Sequence, residues 1–353
     1  MHELKDIFKH ISPIDSKYIK LAQQHLDQLT KPKRSLGRLE DIACQVVAIT
    51  ENLKPSVDKK VIFVFAADHG IATEGVSAYP PDVTAQMVRN FLRGGAGINV
   101  LARHIGAEVR VIDIGVDYDF ESLQGLHPGK IRKGTRNMLN GPAMTHEEAF
   151  AAIQVGLEVA KLAKKENVNV VGAGEMGIGN TTASSAILSV VIDCEEELVT
   201  GFGAGLTSEQ RQHKVDIIKR AIEVNRDRLT DPLSVLAALG GFEIAGLCGF
   251  ILGCAKERLP VAVDGFISSV AALVAVELHP TVKDYLFFSH LSNEQGHTSL
   301  LNHLNVVPLL NLAMGLGEGT GAALAMHLVE GAIKLYNEMA TFDEAQVSKR
   351  LET

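Results

Sequence analysis

Short apolar runs rich in β-branched residues alternate along this chain with longer segments of helical periodicity, and that alternation restricts the fold more than any other feature. The runs are residues 61–66 (VIFVFA), 109–115 (VRVIDIG), 168–171 (VNVV), 260–263 (PVAV) and 284–288 (DYLFF), with a sixth near 305–309. Strands interleaved with helices form a parallel sheet covered by helices, so the expected class is α/β. Each run ends in a polar or glycine-rich turn: Asp68-His69-Gly70, Asp113 to Asp117, Gly172 to Asn180, Asp264-Gly265, and Ser289 to Glu294. In open parallel sheets ligands bind in the crevice outside the carboxyl ends of the strands, which is where these turns gather.

The two ends of the chain read differently. Leu21, Leu26, Leu29, Leu36 and Leu39 stand among charges, interrupted by Pro32, which predicts two helices or a helix and an extended crossing; from Ala322 onward Leu324, Leu328, Ile333 and Leu335 predict another helix. The expected organisation is a large α/β domain over 55–320 and a small helical domain from 1–54 together with 321–353. Thr145 with Glu148, and Thr207 with Gln210, have the spacing of capping boxes and mark helix starts. The apolar stretch 244–255 is too short to span a bilayer and sits between Glu243 and Lys256, so a buried helix is expected and no membrane partner.

MHELKDIFKH lacks the apolar core of a secretion signal, and Cys44, Cys194, Cys248 and Cys254 form no CxxC pair, which predicts reduced thiols in a cytoplasmic protein. With 353 residues, 46% of them hydrophobic, a sizeable core is available. A net charge of −8 argues against nucleic-acid binding but leaves room for a local basic pocket holding one phosphate.

The segment VNVVGAGEMGIGNTTASSAI, residues 168–187, carries Gly172, Gly174 and Gly177 in dinucleotide-fingerprint spacing, with Asp193 further on. An oxidoreductase binding NAD through this 172–177 turn is therefore one reading. Glu175 stands against it. A carboxylate about 4 Å from a pyrophosphate charge costs roughly 4 kcal/mol at an effective dielectric near 20. Glu318, between Gly317 and Gly319, is a second glycine-flanked glutamate ahead of a helix. Two such carboxylates suit a ligand with a cationic or protic part beside an anionic one. Each could instead serve the positive end of a helix dipole. Asp68, His69, Asp113, Asp264 and His290 are types that ligate metals, but no metal-site spacing joins them, and neither a metal nor a cofactor is expected. No GxSxG nucleophile elbow occurs.

AADHGIATEGVSAYPPDVTAQMVRNFLRGGAGINVLAR, GAGEMGIGNTTASSAI, PVAVDGFISSVAAL, SHLSNEQGH and GLGEGTGAALAMHLVEGA follow one another in an order that resembles the nicotinate-nucleotide:dimethylbenzimidazole phosphoribosyltransferase family, from about residue 20 to residue 340. In the 201–207 turn this chain has Phe202 and Ala204 where the family more often has polar residues. The resemblance implies a Rossmann-like sheet, a small helical domain and a homodimer whose site borrows from the partner subunit. It implies transfer of 5-phosphoribose from nicotinate mononucleotide to a benzimidazole-type base, with inversion at C1′. By the match of the GEG motif Glu318 is the general base, and Glu175 lies near the ribose or the charge that develops at C1′. Ser77, Tyr79, Gln86 and Met314 are candidates for the pocket of the flat base. Lys214, Asp264, Gly265, Ser292 and the backbone at Gly177 are candidates for the remaining substrate contacts, chiefly the phosphate. A helix N-terminus lowers the pKa of a carboxylate and burial against an aromatic base raises it, so two opposed effects act on Glu318. A nucleotide-binding protein without turnover is the non-enzymatic alternative.

Overall fold

The computed structural model describes residues 6–121 and 123–348. Its centre is a sheet of β1 (Lys60–Ala67), β2 (Ala107–Gly115), β3 (Leu126–Pro128), β4 (Val170–Met176), β5 (Val261–Val263) and β6 (Leu286–Phe288) in the order β3-β2-β1-β4-β5-β6. Every neighbouring pair is parallel. All eight residues of β1 are buried, as a strand covered on both faces requires, which is why its sequence is a continuous apolar run rather than an alternation. The chain leaves β1 toward β2 and β3, then returns to β4 on the other side. The carboxyl ends of β1 and β4 therefore flank the topological switch point of the sheet.

The strands expected from sequence at 61–66, 109–115, 260–263 and 284–288 are present within a few residues of those bounds. Two expectations need correction. The run 168–171 extends through Met176, so Gly172, Gly174 and Glu175 belong to β4 and not to the turn after it. Residues 305–309 form no strand. Leu309 and Leu310 donate to the carbonyls of Phe288 and Ser289, each at 2.9 Å, and cover the open edge beyond β6. The sixth strand is β3, three residues reading Leu-His-Pro, too short and too poor in β-formers to leave a sequence signal.

Among the helices around the sheet are α1 (Ser16–Leu26), α2 (Arg38–Thr50), α3 (Val83–Arg93), α4 (Gly97–His104), α5 (His146–Lys165), α6 (Asn180–Val191), α7 (Ser208–Asn225), α8 (Phe242–Lys256) and α9 (Thr320–Glu338). Both expected capping boxes form. Thr145 accepts from the Glu148 N–H at 3.1 Å while Glu148 accepts from the Thr145 N–H at 2.8 Å. Thr207 and Gln210 do the same at the start of α7, at 3.3 and 2.8 Å. The break at Pro32 separates α1 from α2. The stretch 244–255 lies inside α8 and is buried throughout. Among the described residues no helix is long and apolar enough to cross a membrane. α8 packs on α5 at backbone contact. A β-carbon on Gly156 would lie 2.0 Å from the Gly246 carbonyl oxygen. The four cysteines are free thiols, with Cys44, Cys248 and Cys254 buried.

The segment after α1 meets the segment after α9. The Thr30 N–H donates to the Ala340 carbonyl at 3.0 Å and the Phe342 N–H to the Gln28 carbonyl at 2.9 Å. α9 packs against α2 on one side and against β4 and β5 on the other, so it belongs to the terminal helices and to the sheet at once.

One contact decides how β4 is seated. A β-carbon on Gly174 would lie 2.6 Å from the carbonyl oxygen of Glu318 and 2.9 Å from its carbonyl carbon. Gly174→Ala should therefore destabilise the protein by about 1–3 kcal/mol, the usual cost of overpacking. Gly331→Ala on α9, where nothing lies within 4 Å of the added carbon, should be neutral or mildly stabilising. Thermal unfolding of the two variants makes the comparison.

Candidate active site

A cavity of about 400 Å³ opens at the carboxyl ends of β4, β5 and the segment after β6. Its floor carries Glu175 and Glu318, and its wall includes Val83, Met87 and Leu316.

Glu175, the sixth residue of β4, points its carboxylate beside the 317–319 turn. It is 5% exposed and accepts a hydrogen bond from the Asn180 amide at the start of α6. Burial pushes its pKa up to about 8, the neighbouring carboxylates Asp264, Glu243 and Glu318 push the same way, and Asn180 opposes them.

Glu318 has φ +63°, between Gly317 at +81° and Gly319 at +94°. Three successive residues in the left-handed region leave glycine as the unstrained choice on either side, and Glu318 bears the strain between them. Its Oε2 accepts the Ile98 N–H at 3.2 Å, in the first turn of α4. That N–H has no partner within its helix, and the residue at the N-cap, Ala96, has no side-chain oxygen to offer. The helix end that stabilises the Glu318 carboxylate is thus the start of α4, not of α9, which it precedes. Burial outweighs that hydrogen bond and holds its pKa above the ordinary glutamate range, with Asp264 adding to the rise.

Asp264, immediately after β5, is expected from sequence to touch substrate. It borders the cavity, but its oxygens face the first turn of α9, accepting from Gly319 at 3.0 Å, Gly321 at 2.6 Å and Ala322 at 3.1 Å. Burial pushes it up to about 7 against these three donors.

Lys214 is fully buried on α7, and its Nζ donates to Thr181 Oγ1 at 2.7 Å. Thr181 and Gly203 border the cavity, and a β-carbon on Gly203 would lie 3.6 Å from that Nζ. The 201–207 turn therefore lies over the ammonium. Burial lowers the Lys214 pKa to about 8, with Glu294 countering. Gly177, Gly265 and Ser292 also line the cavity. The Ser292 N–H donates to His297 Nδ1 at 2.9 Å, so the proton of that ring is on Nε2, 3.0 Å from Ser269 Oγ. Burial lowers His297 to about 3 and keeps it neutral.

Of the four side chains expected around a flat base, Tyr79 alone lines this cavity, at its mouth and 51% exposed. Gln86 looks from the other side of α3 into an adjoining cavity with Asp68 and His69. Ser77 accepts the Tyr79 N–H at 3.2 Å, and the Met314 carbonyl accepts the Asn293 N–H at 2.8 Å; both shape turns beside the cavity and do not line it. Sequence reasoning misses the apolar wall, although Val83 and Met87, one turn apart on a single helix face, carry a readable signal.

Of the residues considered for a metal, Asp264 and His290 lie together, with His290 Nε2 4.0 Å from Asp264 Oδ1, and the others are engaged elsewhere. His69 bonds Glu243 at 2.6 Å, Asp68 accepts the Asp117 N–H at 2.8 Å, and Asp113 pairs with Lys130 at 3.1 Å. Among the described residues no three His, Cys, Asp or Glu side chains gather as a metal-holding group. The glycine fingerprint also has another explanation. β-carbons on Gly172, Gly174 and Gly177 would meet Ile62, the Glu318 backbone and the Ala67 carbonyl, at 2.9, 2.6 and 2.5 Å. These glycines let β4 lie against β1 and the 317–319 turn, which leaves the NAD reading without support.

A family model described as phosphoribosyltransferase matches residues 11–347. Among relatives, the nicotinate-nucleotide–dimethylbenzimidazole phosphoribosyltransferase of Geobacter sp. (strain M21) is 54% identical over 348 residues, covering 99% of this chain and 100% of the relative. The protein of the same name from Prosthecochloris aestuarii is 52% identical, covering 99% of each. The crystal structure of the nicotinate-nucleotide–dimethylbenzimidazole phosphoribosyltransferase from Thermus thermophilus superposes with a TM-score of 0.89 at 42% identity, over 96% of this chain and all of the other. The parallel sheet, the full-length match to the family and the order of the motifs agree: the chain belongs to the phosphoribosyltransferase family that these enzymes represent.

Proposed function

We propose that the protein transfers the 5-phosphoribosyl group of nicotinate mononucleotide to a ring nitrogen of 5,6-dimethylbenzimidazole, inverting C1′ from β to α and releasing nicotinate and α-ribazole 5′-phosphate. The observation that carries this reading is the pair of buried carboxylates, Glu175 and Glu318, facing one cavity that has an apolar wall and a buried lysine at its edge. The bond from C1′ to the nicotinate nitrogen breaks with its electron pair passing to that nitrogen, which is already a pyridinium and leaves as a neutral ring. One benzimidazole nitrogen attacks the opposite face of C1′. The proton on its other nitrogen goes to Glu318, which burial makes a stronger base than an ordinary glutamate. Glu175, with a pKa near 8 in the protein alone, becomes easier to ionise when a cationic donor enters, and then opposes the positive charge at C1′.

Val83, Met87, Leu316 and Tyr79 supply the surface on which a flat base would lie. Lys214, the backbone at Gly177 and Ser292 would hold the phosphate. Tyr79 and Leu316 are 51% and 60% exposed at the mouth, which supports closure of the site by the partner subunit of a homodimer.

The direct test is incubation with nicotinate mononucleotide and 5,6-dimethylbenzimidazole, followed by chromatography. Nicotinate and α-ribazole 5′-phosphate should appear in equal amounts; absence of the α-linked product would end this reading. Glu318→Gln should keep the fold and donor binding but lower kcat by about 10²-fold or more. In the wild type kcat should fall with acidity through a pKa above the ordinary glutamate range, because only the ionised base accepts the proton, and in Glu318→Gln the Glu318 part of this acid limb should be lost while any part owed to Glu175 remains. For Lys214→Ala, KM for nicotinate mononucleotide should rise by roughly 10–100-fold, the worth of one charge-assisted hydrogen bond. Most of that loss should disappear with nicotinate riboside, which carries no phosphate. Equal losses with both donors would remove Lys214 from the phosphate site.

A further inference from the structure

We propose that Asp264 is a positioning residue for Glu318: it caps α9 from the end of a different strand, fixes the Gly317–Gly319 turn, and so holds the Glu318 carboxylate toward the cavity. The proposal rests on Glu318 being the base. α9 begins without a cap of its own, because its N-cap is Gly319. The first N–H groups of a helix need acceptors from outside it. Two oxygens of Asp264 take three of these donors, Gly319, Gly321 and Ala322. The approach depends on Gly321, where a β-carbon would lie 2.9 Å from Asp264 Oδ1 and 2.1 Å from the His290 ring.

The turn is closed locally by Thr320, whose N–H and Oγ1 donate to the Gly317 carbonyl at 3.0 and 2.8 Å, but these bonds leave the Glu318 and Gly319 peptide groups to be held from outside. It is gripped by Asp264 at the Gly319 N–H and by Gly174 against the Glu318 carbonyl. The Glu318 side chain then caps α4 through Ile98. Two carboxylates thus hold two helix starts in series, and displacing the first loosens the second. The ionisable groups around them are Glu175 on β4, His290 after β6, with Nε2 4.0 Å from Asp264 Oδ1, and Glu318 itself. Asp264 raises the pKa of Glu318 through its charge, so its removal should lower that pKa.

The test is Asp264→Asn in the full chain, with Asp264→Ser as a second variant that keeps one acceptor and adds no bulk. In a folded variant kcat should fall by about tenfold or more, because a small misplacement of a reacting group is costly. KM for donor and base should stay within about twofold, and the acid limb of kcat should move to lower pH. Hydrogen exchange over residues 96–101 should speed up, because the Ile98 N–H is held by Glu318 and Asp264 does not touch it. Unchanged kcat would overturn the proposal. So would a rise in KM at constant kcat, which would make Asp264 a substrate contact. So would a loss of kcat that merely follows the folded fraction while exchange at 96–101 is unmoved. Failure of both variants to fold would assign Asp264 to the fold alone and overturn it too. If Glu318→Gln retains turnover, the base assignment fails, and faster exchange at 96–101 still reads the hold of Asp264 on Glu318.

Discussion

The site depends on one contact between two stretches of backbone: the α-carbon of Gly174 in β4 against the carbonyl of Glu318. Side chains cannot mediate it, because there is no room for one. It places Glu175, the next residue of the strand, beside Gly317, where an added β-carbon would come within 2.5 Å of the Glu175 carboxylate. Strand packing and placement of the acids are the same event. A sheet residue with no side chain of its own therefore sets the spacing of the groups that face the ligand.

The same arrangement concentrates like charge. Glu175, Glu243, Asp264 and Glu318 are all buried near the switch point of the sheet. Each has its donors: Asn180 for Glu175, His69 for Glu243, three backbone N–H groups for Asp264, Ile98 for Glu318. These do not cancel the cost of burial for Glu175, Asp264 and Glu318, whose pKa values stay raised. A site of this kind is short of positive charge. The proposed donor would bring a pyridinium to the acids and a phosphate to Lys214, so each of its two charges would meet a group of opposite sign.

Much of this is legible in the sequence. The continuous apolar run of β1, the capping boxes at Thr145 and Thr207 and the break at Pro32 each follow from local chemistry that tertiary context does not override. β3 is invisible because three edge residues carry no periodicity, and 305–309 misleads because an apolar segment covering a strand end looks like a strand. Glycine is the most ambiguous signal. Gly172 and Gly174 read as turn residues, but they lie in a strand, since glycine serves close approach as well as sharp turning and the letter does not say which. The two glutamates stand out because carboxylates between glycines are odd. Gln86 is misplaced beside them because one-dimensional spacing does not reveal which face of α3 looks into which cavity.

The cap on α9 has a consequence for the order in which the molecule is made. Asp264 and Gly319 are separated by 55 positions. On the ribosome, the aspartate and all six strands have been synthesised before the backbone donors that Asp264 requires exist. Until α9 docks, the carboxylate at the end of β5 has no N–H groups to satisfy it, and Glu318 has neither its turn nor its grip on α4. A nascent chain can thus build its sheet while the acid-lined cavity waits for α9. The centre where substrate would bind is completed only after residues 317–322 have been made, and a growing polypeptide cannot engage a nucleotide there before that.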